Sequence, residues 1–165
     1  CNNVKIMKEY PSRKHPRLKT YDYSSQGIYF ITFCTYQREW ILSNIVGRGD
    51  LTPPLVELTD IGQIVDDMIQ AISKHYPNVV VDNYIIMPNH IHMLIRVAEK
   101  KDGITVMRIM KALKGLSTRK IGSPIWQTSF HDHVITNEEE YQTRFRYIEE
   151  NPAKWQQDKY YYQEV

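Results

Sequence analysis

The sequence predicts an α+β fold with a mostly antiparallel sheet. Three runs rich in aromatic and β-branched residues, at 27–36, 78–87 and 90–97, have the composition of strands. The second run ends at a Pro-Asn pair and the third follows at once, so we expect these two to pair as a hairpin. The strand at 90–97 is then expected near the centre of the sheet.

Three segments between and after these strands predict helices. Apolar residues recur at helical spacing in 57–76 and in 103–120. A last helix is expected over 137–152, because an Asn cap and three acids open it and Pro152 ends it. With a strand or extended segment at 125–136, the order becomes β-α-β-β-α-β-α. This order is that of a ferredoxin-like sandwich, with helices on one face of the sheet and one more helix at the C-terminal end.

Composition indicates one globular domain with two terminal appendages. The 165 residues include 24% charged and 42% hydrophobic positions. We expect a basic arm at 1–20, a main domain at 21–155 and a tail at 156–165, and we interpret 43–56 as a variable loop. No run approaches the roughly 18 apolar residues of a membrane helix, and no export signal opens the chain, so a cytoplasmic location is expected.

The stretch "MPNHIHML" at 87–94 carries the first candidate functional residues. Side chains alternate along a strand, so His90 and His92 are expected on one face, with Ile91 on the other. Two neutral imidazoles on a rigid strand are able to bind a divalent metal. From the motif alone, two half-buried histidines without a function are the favoured interpretation.

Two residues of the last predicted helix are candidates for the same site. Tyr147 and Asn151 are four residues apart, so they lie on one face of a helix. A tyrosine oxygen is a nucleophile, and an amide oxygen is a ligand for a hard cation. The alternative is that Tyr147 packs in the core and Asn151 caps the helix before Pro152.

An ordered set of short motifs resembles a known family. The set is "RLKTYDYSSQGIYFITFCTY", "MPNHIH", "WQTSFHDHVI" and "YIEENPAKW", and it runs from about residue 17 to Trp155. It is similar to the REP-associated tyrosine transposases. These enzymes belong to the IS200-like family and to the single-tyrosine HUH group, in which U is a bulky hydrophobic residue.

The resemblance implies a site and a reaction. It implies that His90, His92 and Asn151 hold Mg²⁺ or Mn²⁺, and that Tyr147 on a C-terminal catalytic helix is the nucleophile. The implied activity is cleavage and strand transfer of single-stranded DNA near a hairpin, through a 5′-phosphotyrosine. Whether the protein acts as a monomer or a homodimer, and whether Tyr147 serves its own histidine pair or a partner's, is left open by the sequence.

Basic residues are the candidates for DNA contact. Arg108, Lys111 and Lys114 lie on one face of the predicted helix 103–120, and Arg17 and Lys19 belong to the basic arm. The alternative for each group is a solvated surface. His131 and His133 in "FHDH" are candidates for residues next to the site, although a structural role is the favoured interpretation.

Two other functions remain as alternatives to the transposase. The first is a protein that binds DNA hairpins without cutting them, which has no need of His90, His92, Tyr147 and Asn151 together. The second is a metal-dependent phosphodiesterase that uses water as the nucleophile. Replacing Tyr147 with Phe discriminates between these enzymes, because only the transposase requires the phenolic oxygen.

Overall fold

The computed structural model describes residues 27–47, 54–98 and 104–161, which form a four-stranded antiparallel sheet covered by helices. In chain order the elements are β1 (Gly27–Cys34), β2 (Ser43–Val46), β3 (Leu55–Leu58), α1 (Asp60–His75), β4 (Val79–Ile86), β5 (His90–Val97), α2 (Val106–Ile121), β6 (His131–Ile135) and α3 (Glu138–Glu150). The strand order is β4-β5-β1-β6, so β5 is central as expected. The predicted α+β, ferredoxin-like class is confirmed.

The two faces of the sheet bury different helices. Ile31 of β1 and Met93 of β5 point to the face where α1 and α2 pack, and they belong to the larger core. Phe30 and Leu94 point to the opposite face, where they contact Ile148 of α3. Because neighbours in a strand alternate between faces, His90 and His92 share their face with Leu94, under α3.

α3 is less buried than the other two long helices. Ile148 is the one fully buried residue of α3, whereas α1 and α2 bury four and five residues. Its first turn is held by polar contacts, because the Asn137 side chain accepts from the backbone N–H of Glu140 and the Tyr141 hydroxyl donates to Asp82. None of the helices in the described ranges is long and apolar enough to span a membrane.

The interpretation of 43–56 as a loop was wrong for its ends. β2 and β3 pair as a small antiparallel hairpin, with Ser43 opposite Leu58. The hairpin is attached to the main sheet, since the Ser43 hydroxyl donates to the carbonyl of Ile86. Strands of four residues are too short to give a clear alternating pattern, and residues 48–53 lie outside the described part.

Gly62 has a steric role at the start of α1. A Cβ at this position would lie 1.9 Å from the Leu42 carbonyl oxygen. That carbonyl accepts from both the backbone N–H and the hydroxyl of Thr59, the N-cap of the helix. A side chain at position 62 therefore has to push α1 away from the carbonyl that anchors its cap.

We expect Gly62→Ala to lower the free energy of unfolding by about 2–3 kcal/mol, because the added methyl group overlaps backbone. The matched control is Gly115→Ala in α2, where a Cβ meets no described atom within 4 Å. The control is expected to raise stability by about 0.5–1 kcal/mol through helix propensity. Urea unfolding measures both, and equal shifts in the two variants would contradict the steric explanation.

Candidate active site

Two buried histidines at the start of β5 form the centre of the site. His90 and His92 are 0% and 1% exposed, and their Nε2 atoms are 3.1 Å apart. Both side chains point to the face that α3 covers. The alternation predicted from the sequence therefore brings the two imidazoles together.

Asn89 fixes the protonation of His90. The Asn89 amide Nδ2 donates to the carbonyls of Tyr160, at 2.8 Å, and of Arg38, at 3.3 Å. Its Oδ1 is therefore the atom that faces His90 Nδ1, at 2.8 Å, and this oxygen only accepts. The proton of His90 lies on Nδ1, and Nε2 carries a lone pair.

Thr32 completes the chain of hydrogen bonds at His92. Because His90 Nε2 is an acceptor, His92 donates its Nε2 proton across the 3.1 Å contact. The Thr32 hydroxyl then donates to His92 Nδ1, at 2.7 Å. A hydroxyl also accepts, so Thr32 stabilises the other tautomer of His92 equally well, with Nε2 free to bind a cation.

Burial keeps both imidazoles neutral. Desolvation is the main cause that lowers the pKa of His92 to about 3, and the pKa of His90 is lowered well below its ordinary value for the same reason. The pKa of His90 is lowered further by the positive charge that His92 has when protonated, and then by the charge on Arg38. The neutral form is the one that binds metals.

Two oxygen donors lie beside the histidines. One ligand atom each from His90, His92 and Asp158 lie within 4.8 Å of one another. The Asn151 amide Nδ2 donates to Asp158 Oδ2, at 2.9 Å. Asn151 Oδ1 is buried without a hydrogen bond of normal geometry to any described residue, and the Asn151 side chain lies close enough to His90 to raise its pKa. Two imidazole nitrogens with carboxylate and amide oxygens are a donor set that fits a divalent cation.

Tyr147 lies over this cluster. Its ring centroid is 5.1 Å from that of His92 and 6.0 Å from that of Phe30. Burial is the main cause that raises the pKa of Tyr147, and the Asp158 charge raises it further, while Asn151 and Arg144 oppose them. The phenol is therefore protonated at neutral pH, and α3 holds it next to the histidine pair.

Three cations from separate segments surround the cluster. Arg38 lies over the Tyr160 ring at 4.4 Å, and Lys159 Nζ is 5.0 Å from the same ring. Arg144 of α3 lies over the Phe30 ring at 4.8 Å. Positive charge from each of them lowers the pKa of one or both histidines. The surroundings of the site therefore favour an anion.

Comparison with protein families matches residues 23–151 to the family described as transposase IS200-like. The chain belongs to this family. The transposase is also 30% identical to an uncharacterized protein of Haemophilus influenzae, over 90% of this chain and 93% of that protein. The predicted family is confirmed.

A solved structure shares the fold of this transposase. It is a REP-associated tyrosine transposase bound to a REP hairpin, with a TM-score of 0.62 and 23% sequence identity. The match covers 90% of this chain and 74% of that one. The fold class read from the sequence is therefore also that of a solved transposase.

The residues predicted to contact DNA lie away from the histidines. Arg108, Lys111 and Lys114 are on α2, which packs against the opposite face of the sheet. The Lys114 ammonium donates to three backbone carbonyls, those of residues 127–129. Arg17 and Lys19 lie outside the described residues.

The two histidines of β6 differ in their surroundings. His131 is opposite Thr32, which is in turn opposite His92, so all three point to the face that α3 covers. Its charge is one of the smaller causes that lower the pKa of His92. His133 instead pairs with Glu140 in the first turn of α3.

Asp158, Asn89 and Arg38 are site residues that sequence reasoning missed. Asp158 falls in the segment predicted to be a tail, although Tyr160 two residues later is only 4% exposed and lies 4.4 Å from the His90 ring. The one available signal was that Asp158 is the only acid from 151 to 161. In the sequence, the Pro-Asn pair that contains Asn89 indicates only a turn.

The buried histidines predict a pH dependence of stability. In the unfolded chain a histidine binds a proton near pH 6.5, whereas folded His92 stays neutral until about pH 3. The unfolded state thus binds more protons below pH 6.5, and stability falls as the pH falls through that window. Between pH 7.5 and 5.5, His92 is expected to contribute a loss of about 1.4 kcal/mol, and His90 a further loss of the same sign.

Urea unfolding at the two pH values, with EDTA present, measures this loss. We expect His92→Gln to depend less on pH than the wild type by about 1.4 kcal/mol. Ser73→Ala, an exposed change on α1, is the control and should keep the wild-type dependence. An unchanged dependence in His92→Gln would mean that His92 is protonated in the folded protein.

Proposed function

We propose that this transposase cleaves and joins single-stranded DNA with Tyr147 as its nucleophile and a divalent metal at His90 and His92. The observation that carries the proposal is the 5.1 Å approach of the Tyr147 ring to His92, within a cluster of metal-ligand atoms. One helical turn from Tyr147 the chain has Thr143 and Asn151. The scheme therefore uses one tyrosine, as in the single-tyrosine HUH group.

The donors assigned to Mg²⁺ or Mn²⁺ are the Nε2 atoms of His90 and His92, with oxygens of Asn151 and Asp158. The buried Asn151 Oδ1, which has no hydrogen bond of normal geometry to any described residue, supports this assignment. When bound, the ion polarises the scissile phosphate and stabilises charge on the departing 3′ oxygen. Thr32 and Asn89 serve to orient the two imidazoles.

The proposed reaction is a transesterification. A bond forms between the Tyr147 oxygen and phosphorus, and the bond from phosphorus to the 3′ oxygen breaks. The phenol loses its proton and the departing 3′ oxygen gains one, which leaves a 5′-phosphotyrosine and a free 3′-OH. Attack by the 3′-OH of another strand reverses the step, so one site both cuts and joins.

The surrounding cations suit a phosphodiester substrate. Arg38, Arg144 and Lys159 bring positive charge to the buried histidine pair. Such preorganised charge stabilises the negative charge on the phosphoryl oxygens in the transition state. A raised pKa keeps Tyr147 neutral until the substrate is in position.

The substrate that we propose is single-stranded DNA with a hairpin. The solved transposase of the same fold was bound to a REP hairpin, and we extend this partner to the present chain as a proposal. Arg108 and Lys111 of α2, together with Arg17 and Lys19 of the arm, are the proposed phosphate contacts. Lys114 is assigned a supporting role, because its ammonium binds backbone carbonyls.

A covalent-adduct assay tests the nucleophile. Labelled hairpin DNAs with single-stranded flanks from the host locus are incubated with the protein and Mg²⁺ or Mn²⁺, then separated under denaturing conditions. We expect an adduct that Tyr147→Phe and His90→Ala each reduce by at least about 10³-fold, as for other catalytic nucleophiles and the groups that activate them. Tyr76→Phe, at the end of α1 and on the other side of the sheet, is the matched control and should form the adduct.

The assay also separates the alternatives. Cleavage that forms no adduct and is retained in Tyr147→Phe would instead indicate a phosphodiesterase that uses water. Tight hairpin binding without cleavage, on DNA of the correct sequence, would indicate a non-cutting hairpin binder.

The oxygen ligands are tested by metal affinity in the absence of DNA. We expect Asp158→Ala and Asn151→Ala each to weaken Mn²⁺ binding by about 10–100-fold, since each change removes one oxygen from the set. Electron paramagnetic resonance of free Mn²⁺ measures the affinity. The control Asp67→Ala removes an exposed acid from α1 and should leave the Mn²⁺ affinity unchanged. Unaltered affinity in Asn151→Ala would remove Asn151 from the ligand set.

A further inference from the structure

A groove of about 700 Å³ lies between α2 and the segment 124–130, on the side of the sheet away from the histidines. Met107, Trp126 and Phe130 contribute apolar surface to it, and Arg108 and Lys111 contribute positive charge. Nothing in the proposed cleavage chemistry uses this groove.

The groove is formed by a part of the chain that has no acidic residue. From 104 to 131 the sequence has five Lys or Arg and no Asp or Glu. By contrast, α1 carries three acids and α3 carries five. The net charge of +2 therefore hides a locally positive surface, which favours an anionic ligand.

The aromatic surface of the groove is held in a fixed orientation. Trp126 Nε1 donates to the Ser117 hydroxyl at 2.8 Å, and the indole packs on Phe33 at 4.9 Å. Lys114 ties residues 127–129 to α2 through three hydrogen bonds and lies 5.9 Å from the Phe130 ring. A rigid aromatic platform beside cations is the surface that binds unpaired nucleobases.

Gly115 keeps the floor of the groove open. It lies in the interior of α2, where glycine lowers helix propensity, yet a Cβ at this position meets no described atom within 4 Å. Packing within the described chain therefore gives no reason for a glycine here. A ligand that approaches the helix backbone closely does give one.

The groove and the candidate active site open on opposite faces of the sheet, but the backbone segments that carry them are neighbours near its edge. Trp126 pairs with Thr35 in a bridge, and the backbone N–H of Gln127 donates to the carbonyl of Cys34. Cys34 is opposite His90 in the sheet, so Gln127 and His90 are two strand spacings apart, about 10 Å. One DNA strand is long enough to reach both.

We infer that the groove binds bases of an unpaired DNA segment, continuous with the strand that the active site cleaves. The bases stack on Trp126 above Gly115, and the adjoining phosphates meet Lys111 and Arg108. This inference rests on the proposed function for its substrate class, single-stranded DNA. The groove adds a second contact on the same strand, beyond the scissile phosphate.

Fluorescence anisotropy with labelled dT12 tests the groove, because stacking is tolerant of sequence. EDTA is present, and an abasic 12-mer with the same number of phosphates is the comparison. The wild type should bind dT12 more tightly than the abasic strand, because only dT12 has bases to stack. Gly115→Leu should melt no lower than the wild type, because leucine favours the helix more than glycine, and should bind dT12 at least about tenfold more weakly. Lys74→Gln on α1 is the control, with wild-type affinity.

A second variant, Lys111→Gln, tests the groove if Gly115→Leu does not fold. Lys111→Gln should reduce the slope of log K against log salt for dT12 binding by about 0.7, the contribution of one phosphate contact on a single strand. The inference is wrong if folded Gly115→Leu binds dT12 like the wild type, or if the wild type binds the abasic strand equally well. The adduct assay tests the proposed function independently of the groove. If the adduct forms and the groove variants bind dT12 like the wild type, only the groove inference is wrong. If the groove variants lose dT12 binding and no adduct forms, only the assignment of Tyr147 as nucleophile is wrong.

Discussion

The side-chain amide of Asn89 is the interaction on which the geometry of the site depends. It is fully buried and joins three parts of the chain, because it binds the carbonyls of Arg38 and Tyr160 and orients the His90 ring. Removing this amide leaves buried polar partners unpaired, at about 1–3 kcal/mol for each. The larger effect of the amide is on the orientation of His90. The lone pair on His90 Nε2 faces His92 only while Asn89 Oδ1 accepts the hydrogen bond from Nδ1–H.

The site combines a rigid half with a less anchored half. The histidines and Thr32 lie on the two central strands, whereas Tyr147 lies on a helix that buries only Ile148 fully. A helix that buries few of its residues is able to shift at less energetic expense than a strand in the core. The metal ligands are thus held by the core of the sheet, and the nucleophile by an element with more freedom.

The sequence was sufficient where the structure depends on local periodicity. The alternation of a strand placed His90 and His92 on one face, and helical spacing placed Tyr147 one turn from Asn151, while Asn137 was recognised as a cap. That these pairs form one site came from the resemblance to a family. The ligand and nucleophile assignments themselves stay predictions.

The remaining parts of the site could not be predicted from the sequence, because they depend on contacts between residues that are far apart in the chain. Asn89 binds the carbonyl of Tyr160, which is 71 residues away, and Arg38 approaches with a positive φ of 59° that no nearby residue specifies. Asp158 reaches the histidines only because the chain turns back after Pro152 and buries Trp155. Periodic patterns describe each element and contain no information on such reversals.

The tautomers of the two histidines test the central claim most directly. In ¹⁵N spectra of the metal-free protein at pH 7.5, the hydrogen bonds predict a proton on Nδ1 of His90 and on Nε2 of His92. Saturating Mg²⁺ should move the His92 proton to Nδ1, where the Thr32 hydroxyl accepts it. A proton on Nε2 of His90, or a His92 tautomer that Mg²⁺ does not change, would contradict a metal site at this pair.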